Sequence, residues 1–155
     1  MRIAATLAAA AALVDVPGCE AQAQPAEPRA DAACATELAG ALTRVDDTVL
    51  RCHDGHWQPD TDPYPVSDKW LTSDAGLTLH GQGRRNPEML AGQWIGWPQQ
   101  ADDRCSAEQV VVVAAGELSE PQAAEAERGR PLELAVAPTM FSTLLRGDCL
   151  WLRVG

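Results

Sequence analysis

The stretch GDCLWLRV, residues 147–154, carries the clearest signal of fold class in this chain. From Cys149 onward, alternate side chains point to opposite faces of an extended segment. The two faces consist of Cys149, Trp151 and Arg153 on one side and of Leu150, Leu152 and Val154 on the other. An alternation with a period of two residues predicts a β-strand that ends the chain.

Further candidate strands extend this pattern back to Lys69, with glycine and proline residues at the turn positions between them. The candidates are Lys69–Thr72, Leu77–Gly81, Gln93–Trp97, Gln109–Ala115, Leu132–Val136, Met140–Leu145 and Cys149–Val154. Val110–Val113 is continuously apolar and predicts a central strand that is covered on both faces. Ser119–Arg130 has almost no apolar stripe and is expected to form a surface loop. The pattern predicts a mainly β domain, either a small β-sandwich or a partly open barrel.

Residues 34–57, CATELAGALTRVDDTVLRCHDGHW, support two interpretations. The spacing of one helical stripe is shared by Leu38, Leu42, Val45 and Val49. In contrast, Thr48–Cys52 favours a strand, and the following His-Asp-Gly predicts a tight turn. We therefore expect a short helix or loop, followed by a hairpin with strands Thr48–Cys52 and His56–Gln58.

The first residues have the features of an export signal. Arg2 precedes Ile3–Val14, an unbroken apolar run. As a helix this run would span about 18 Å, which is too short for a hydrocarbon core of about 30 Å. Such a run behind a basic start predicts a signal peptide over residues 1–23. The competing interpretation is a lipobox at Val16–Cys19, which would make Cys19 a lipidation site and give the protein a lipid anchor.

Four cysteines remain once Cys19 has been removed or lipidated. They are Cys34, Cys52, Cys105 and Cys149. An even number of cysteines in an exported protein predicts two disulfides, and four cysteines allow three pairings.

Two short motifs resemble parts of known exported domains. Cys34, Cys52, Gly55 and Trp57 match a small cystine-bridged hairpin that is found in many exported bacterial proteins. The terminal Cys-x-Trp-x-Arg strand is similar to the last strand of small exported actinobacterial domains of unknown function. The first resemblance implies a Cys34–Cys52 bridge, which leaves Cys105 to pair with Cys149. Neither resemblance implies an activity.

The predicted organisation of the chain has five parts. Residues 1–23 form the signal peptide, and 24–33, rich in Pro, Ala and charge, form a flexible spacer. Residues 34–58 form the cystine-bridged hairpin module, 59–65 form a Pro-rich linker, and 66–155 form the β-domain. No segment beyond the N-terminal run is long and apolar enough to span a membrane.

The charge balance argues against a nucleic-acid partner. The chain has 12 Lys and Arg against 22 Asp and Glu, with a formal net charge of -10. Affinity for phosphate backbones depends on clustered cations, and this chain lacks such clusters.

The sequence predicts no catalytic residue, metal site or cofactor. His53 and His56, with Asp60 nearby, are the closest approach to a metal site, but the two histidines flank a predicted turn. Asp60-x-Asp62 lacks the glycine and the distal glutamate of an EF-hand loop. No serine lies in a Gly-x-Ser-x-Gly setting, and cysteines in disulfides are not nucleophiles.

The aromatic residues suggest a binding face. The chain has five tryptophans, Trp57, Trp70, Trp94, Trp97 and Trp151. Because Trp94 and Trp97 are an odd number of residues apart, a regular strand directs them to opposite faces. At least one of the two is therefore expected to point outward, and the residues proposed for a binding face are Trp94, Trp97 and the basic pair Arg84 and Arg85.

These observations favour a non-enzymatic binding domain that is secreted or attached to the outer side of the cytoplasmic membrane. The expected partner is a protein or a cell-wall glycan. The alternative is a cell-envelope hydrolase, or an inhibitor of such an enzyme, with acidic residues that one sequence does not identify.

Overall fold

The computed structural model describes residues 27–155, which form twelve β-strands and one short 3-10 turn. The turn is Thr36–Leu38, and the strands are β1 (Leu42–Val45), β2 (Thr48–His53), β3 (His56–Pro59), β4 (Lys69–Leu71), β5 (Leu77–His80), β6 (Gly92–Pro98), β7 (Ser106–Ala114), β8 (Glu117–Leu118), β9 (Gln122–Glu125), β10 (Leu132–Val136), β11 (Met140–Arg146) and β12 (Cys149–Arg153). The predicted signal peptide and Cys19 lie outside the described residues. Within residues 27–155, no helix is long and apolar enough to cross a membrane.

The strands form two sheets, so the predicted mainly β fold is confirmed. One sheet has seven strands in the order β10-β6-β12-β4-β1-β2-β3. The other has five strands, in the order β5-β11-β7-β8, with β9 also paired to β7. The sheets do not close into a barrel, so the sandwich alternative describes the architecture.

The main core lies between the two sheets and is rich in tryptophan. Trp70, Trp94 and Trp151 of the seven-stranded sheet are completely buried there against residues of the five-stranded sheet such as Leu79 and Leu145. Each of these three indole N–H groups donates a hydrogen bond, to Glu88 O (3.2 Å), Leu90 O (2.9 Å) and Thr72 Oγ1 (3.1 Å) respectively. Satisfied donors remove the desolvation penalty of a buried polar group.

A second, smaller core covers the other side of the seven-stranded sheet, which we call the outer face. Leu50, Trp57, Leu71 and Leu150 are buried there beneath the N-terminal segment that carries Leu38. Strand β12 therefore contributes to both cores, with Trp151 in the main core and Leu150 in the outer one. The predicted alternation of the last strand is confirmed.

Both predicted disulfides are present. Cys34 and Cys52 are bonded over a sequence separation of 18, and Cys105 and Cys149 over a separation of 44. The second bridge joins the segment just before β7 of the five-stranded sheet to β12 of the seven-stranded sheet. The first bridge ties the N-terminal segment to β2 on the outer face.

The N-terminal part differs from its sequence-based expectation. Most of the predicted helical stripe is extended instead: β1 pairs antiparallel with β2, and Leu42 pairs in parallel with Trp70 of β4. The chain can turn back after β1 because Asp46 adopts a positive φ of 52°. The β1–β4 pairing joins the predicted hairpin module to the strands that follow residue 66, in one sheet.

Three other segments also differ from expectation. Within the predicted spacer, Asp31 N donates to Trp57 O and Trp57 N donates to Ala32 O, both at 2.8 Å, so residues 31–32 lie along β3. The predicted loop Ser119–Arg130 contains β9, which pairs with the first half of β7.

Strand β7 is central, but Val113 is 56% exposed, so the expected cover on both faces is wrong for that end of the strand.

Candidate binding cleft

A cleft of about 420 Å3 opens on the outer face, at the end of the sheet where β1, β4 and β6 end and β12 begins. We call it the outer cleft. Its lining comes from the N-terminal segment, from β1 and the turn after it, and from the segments that follow β4 and β6. This volume lies within the range of ligand pockets in proteins, about 300–1,000 Å3.

The floor of the outer cleft is apolar. Leu38, Trp57 and Leu71, which belong to the outer core, line it together with Cys34 of the first disulfide. These side chains hold fixed positions because the 3-10 turn packs Leu38 against the sheet and the bridge fastens Cys34 to β2. The floor is therefore a preformed apolar surface.

The rim of the outer cleft is polar. It includes Ser73, Gln99, Gln100 and Asp148, which lie in the segments that flank β4, β6 and β12. Hydroxyl, amide and carboxylate groups around an apolar floor provide both contact area and hydrogen-bonding capacity.

A buried hydrogen-bond network fixes the segment that carries Asp148. Thr72 Oγ1 donates to Gly147 O at 2.7 Å, and Trp151 Nε1 donates to the same Thr72 oxygen at 3.1 Å. Gly147 adopts a φ of 91°, and a Cβ at this position would collide with Arg104 O. A glycine is required there, so the Gly-Asp-Cys sequence determines the place of Asp148 at the rim.

The electrostatic setting of Asp148 is unusual. Partial burial raises the pKa of its carboxyl group above the ordinary value, and the nearby carboxylates of Asp74, Asp103 and Glu27 raise it further. A hydrogen bond from the backbone of Asp74 acts in the opposite direction. The raised pKa means that desolvation and like charges together disfavour the ionised carboxylate.

Trp97 lies on the same face of the sheet as the outer cleft. It is directly opposite Leu150 of β12, and Leu150 is directly opposite Leu71 of β4 on the cleft floor. Two strand spacings of about 4.8 Å separate the Trp97 and Leu71 backbones. The indole is 45% exposed, whereas the other four tryptophans are buried.

The predicted binding face of Trp94, Trp97, Arg84 and Arg85 is not assembled as one surface. Trp94 is completely buried in the main core, so it cannot contribute to an exposed face. Trp94 and Trp97 point to opposite faces of the sheet, as strand geometry requires for residues that are an odd number apart. Arg84 lies in the segment after β5, with its guanidinium 5.5 Å from the ring centroid of Phe141 in the five-stranded sheet. Arg85 is exposed in the same segment. Trp97 alone of the four belongs beside the outer cleft.

A second cavity of about 360 Å3 contains an ion-pair network. Glu88, 8% exposed, accepts hydrogen bonds from the Arg44 guanidinium and from the backbone N–H of His80 (3.0 Å). The His80 Nδ1 atom lies 3.1 Å from the same carboxylate, and Arg44 Nη1 also donates to Thr78 O at 3.2 Å. These contacts link β1 to β5, so we interpret the network as a structural link between the two sheets.

The histidine pair and the acidic loop have local structural roles. His53 and His56 are opposite each other at the end of the β2–β3 hairpin, and His53 Nε2 lies 3.3 Å from Asp54 Oδ2. Asp60 accepts hydrogen bonds from Arg51 (2.6 Å) and from the backbone of Asp62 (3.0 Å). Among residues 27–155, no three His, Cys, Asp or Glu side chains are grouped so as to hold a metal ion.

Comparison with known proteins gives no assignment: no family model, curated protein or solved structure matches the chain. Function is therefore inferred from the residues of this chain alone.

Proposed function

We propose that this protein is a non-enzymatic binding domain that acts outside the cytoplasmic membrane. Its ligand, a cell-wall glycan, would occupy the outer cleft and extend over Trp97. The observation that carries the proposal is the position of the exposed Trp97 ring on the same face as a preformed cleft.

The chemistry of this surface suits a sugar chain. A sugar ring presents C–H groups that pack on an indole or on an apolar floor, and it presents hydroxyl groups at its edge. Trp97 and the apolar cleft floor supply the apolar contacts, while Gln99, Gln100 and Asp148 supply donors and acceptors. The indole N–H of the exposed Trp97 has no hydrogen-bond acceptor within residues 27–155, so it can donate to a ligand oxygen.

The two disulfides support a location outside the cytoplasm, because such bridges persist in oxidising compartments. The predicted signal peptide over residues 1–23 is the second support. Cleavage after Ala23 and lipidation at Cys19 remain alternative forms of the same proposal, and mass spectrometry of the mature N-terminus distinguishes them.

The test is a titration of the oxidised protein with soluble cell-wall glycan fragments, followed by tryptophan emission. We expect the emission to shift to shorter wavelength as the Trp97 indole leaves water. Trp97→Ala should weaken binding at least about tenfold, since an aromatic anchor in a binding site contributes 2 kcal/mol or more. Leu118→Ala is the matched control, because Leu118 is 46% exposed but lies on β8 of the other sheet. Equal affinities of the two variants, or no binding by the wild-type protein, would overturn the proposal.

One observation favours a second function, hydrolysis of the glycan. A carboxyl group with a raised pKa in a cleft is suited to donate a proton to a leaving oxygen, and Asp148 has this property near other carboxylates. This alternative requires that reducing ends accumulate when the protein is incubated with the glycan. It also requires that Asp148→Asn abolish this release, while the proposed binding function requires no release from the wild-type protein.

A further inference from the structure

We infer that the outer cleft receives a positively charged group, so that its glycan ligand is an amino-sugar chain with free rather than acetylated amino groups. This inference rests on the proposed function and names the class of glycan. It is carried by the negative charge of the carboxylates around the cleft, which is complementary to a positively charged ligand.

Negative charge from separate parts of the chain converges on the cleft. Glu27 of the N-terminal segment, Asp46 of the β1–β2 turn and Asp148 before β12 all line it. Asp74 and Asp103, in the segments after β4 and β6, lie close enough to act on the Asp148 carboxyl group. Three carboxylates from three segments therefore line the cleft, and two more act on one of them, Asp148.

The two cations on strands β1 and β4, which border this opening, are engaged elsewhere. Arg44 is the one Lys or Arg among the described residues that line the cleft. Its guanidinium binds Glu88 and Thr78 O on the inner side of the sheet. Lys69, on the adjacent strand β4, donates to the carbonyl oxygens of Glu37 (2.6 Å) and Ala39 (3.0 Å). Neither cation neutralises Asp148, so a ligand that brings positive charge relieves the repulsion among the carboxylates.

The apolar floor excludes a bare metal ion as the occupant. A hard cation requires several oxygen ligands at fixed distances, but Leu38, Trp57 and Leu71 offer none from their side chains. The carboxylates around the floor do not replace them, since within residues 27–155 no three potential ligand side chains are grouped so as to hold a metal ion. An organic ammonium group attached to a ring satisfies both parts of the cleft. Its C–H face packs on the floor and its N–H groups donate to Asp148 at the rim.

Acetylation would remove the complementarity. An N-acetylated sugar has the same ring but carries a neutral amide, which brings no positive charge and leaves the carboxylates uncompensated. An amide N–H can still donate to a carboxylate, but only the ammonium group adds the attraction between opposite charges. The cleft should therefore distinguish two glycans of equal length that differ only in acetylation.

The experiment measures calorimetric affinities of the oxidised protein for a β-1,4-linked glucosamine oligomer and for its fully N-acetylated form, at about pH 5.5, where amines are charged. We expect the free-amine oligomer to bind at least about tenfold more tightly. Asp148→Asn should remove most of this preference, because it weakens binding of the free-amine oligomer much more than binding of the acetylated one. Glu117→Gln, which removes one exposed negative charge from β8 on the other sheet, is the matched control and should retain the preference.

Each outcome has a separate meaning. Equal or tighter binding of the acetylated oligomer overturns the inference but supports the proposed glycan-binding function. An equal loss of preference in Asp148→Asn and Glu117→Gln also overturns the inference, because it indicates attraction of a polycation to the overall charge of -10. Binding of neither oligomer contradicts both the inference and the proposed function.

Discussion

Gly96 of β6 lies directly opposite Trp151 of β12, and the absence of a side chain at Gly96 leaves the space that the indole ring occupies. A Cβ atom at position 96 would lie 2.8–3.0 Å from three atoms of that ring. Trp151 is completely buried in the main core and its N–H group is held by Thr72. The pair fixes where the last strand sits, and therefore where Asp148 and Leu150 lie on the outer face.

We expect Gly96→Ala to lower the free energy of unfolding by about 1–3 kcal/mol, because overpacking a filled core forces side chains out of their preferred rotamers. Urea unfolding measures the change. Gln93→Ala, at an exposed position of the same strand, should change it by less than about 0.5 kcal/mol. An alanine variant as stable as the wild type would show that the ring does not fill this space.

Gln109 protects the free edge of β10, at the end of the seven-stranded sheet. Its side chain donates to Ala135 O (3.3 Å) and accepts from Ala137 N (3.2 Å), so it satisfies backbone groups that an edge strand leaves unpaired. We expect Gln109→Leu to destabilise the protein by about 1–3 kcal/mol, since the side chain is largely buried and two hydrogen bonds are lost. Amide hydrogen exchange at Ala137 should accelerate more than exchange in β12. Unchanged exchange at Ala137 would contradict this role.

The two disulfides should contribute unequally to stability. Chain-entropy arithmetic gives about 4 kcal/mol for the Cys105–Cys149 loop and about 3 kcal/mol for the Cys34–Cys52 loop. We expect the double substitution of Cys105 and Cys149 by serine to cost more than that of Cys34 and Cys52, also because the former pair is completely buried and joins the two sheets. Thermal unfolding of both double variants measures the order, and the reverse order would contradict it.

The raised pKa of Asp148 predicts a pH dependence of stability. Between its ordinary value of 3.8 and the raised folded-state value, the native protein binds more protons at this site than the unfolded chain does. The contribution of Asp148 to the free energy of unfolding therefore decreases as pH rises through this window. We expect Asp148→Asn to gain stability relative to the wild type as pH rises from about 4 towards 7. Glu117→Gln controls for the loss of one negative charge, and a pH-independent difference would contradict the assignment.

Local patterns in the sequence predict much of this fold. The alternation around Trp151 predicts which side chains of β12 face each core, because strand geometry fixes the period at two residues. The same rule predicts that Trp94 and Trp97 point in opposite directions. The Cys34–Cys52 bridge follows from a resemblance confined to one hairpin, and the second bridge follows from the first.

Pairings between distant segments are not predictable in this way. Leu42–Val45 continues a helical spacing, and it becomes strand β1 through its neighbours β2 and β4. Gln122–Glu125 has low intrinsic strand propensity, and its extended form depends on pairing with β7. In both segments tertiary contacts outweigh local preference.

Local patterns in the sequence do not predict the outer cleft either. Its lining brings together the N-terminal segment, Thr43–Asp46, the segment after β4, Gln99 and Asp148, which share no motif or spacing. The one local signal is Gly147 before Asp148, since a conformation that requires glycine marks a segment held in a fixed place. The exposure of Trp97 does not follow from the sequence alone, because it depends on which strands pair with β6.

The central claim is that a ligand enters the outer cleft beside Trp97, and NMR of the five tryptophan indole N–H groups tests it most directly. Addition of the free-amine oligomer should shift the signals of Trp57, which lines the cleft, and of Trp97, which lies beside it on the same face. The signals of Trp70 and Trp94 in the main core should stay in place. No change in the Trp57 and Trp97 signals at saturating oligomer, or equal changes in all five, would contradict the claim.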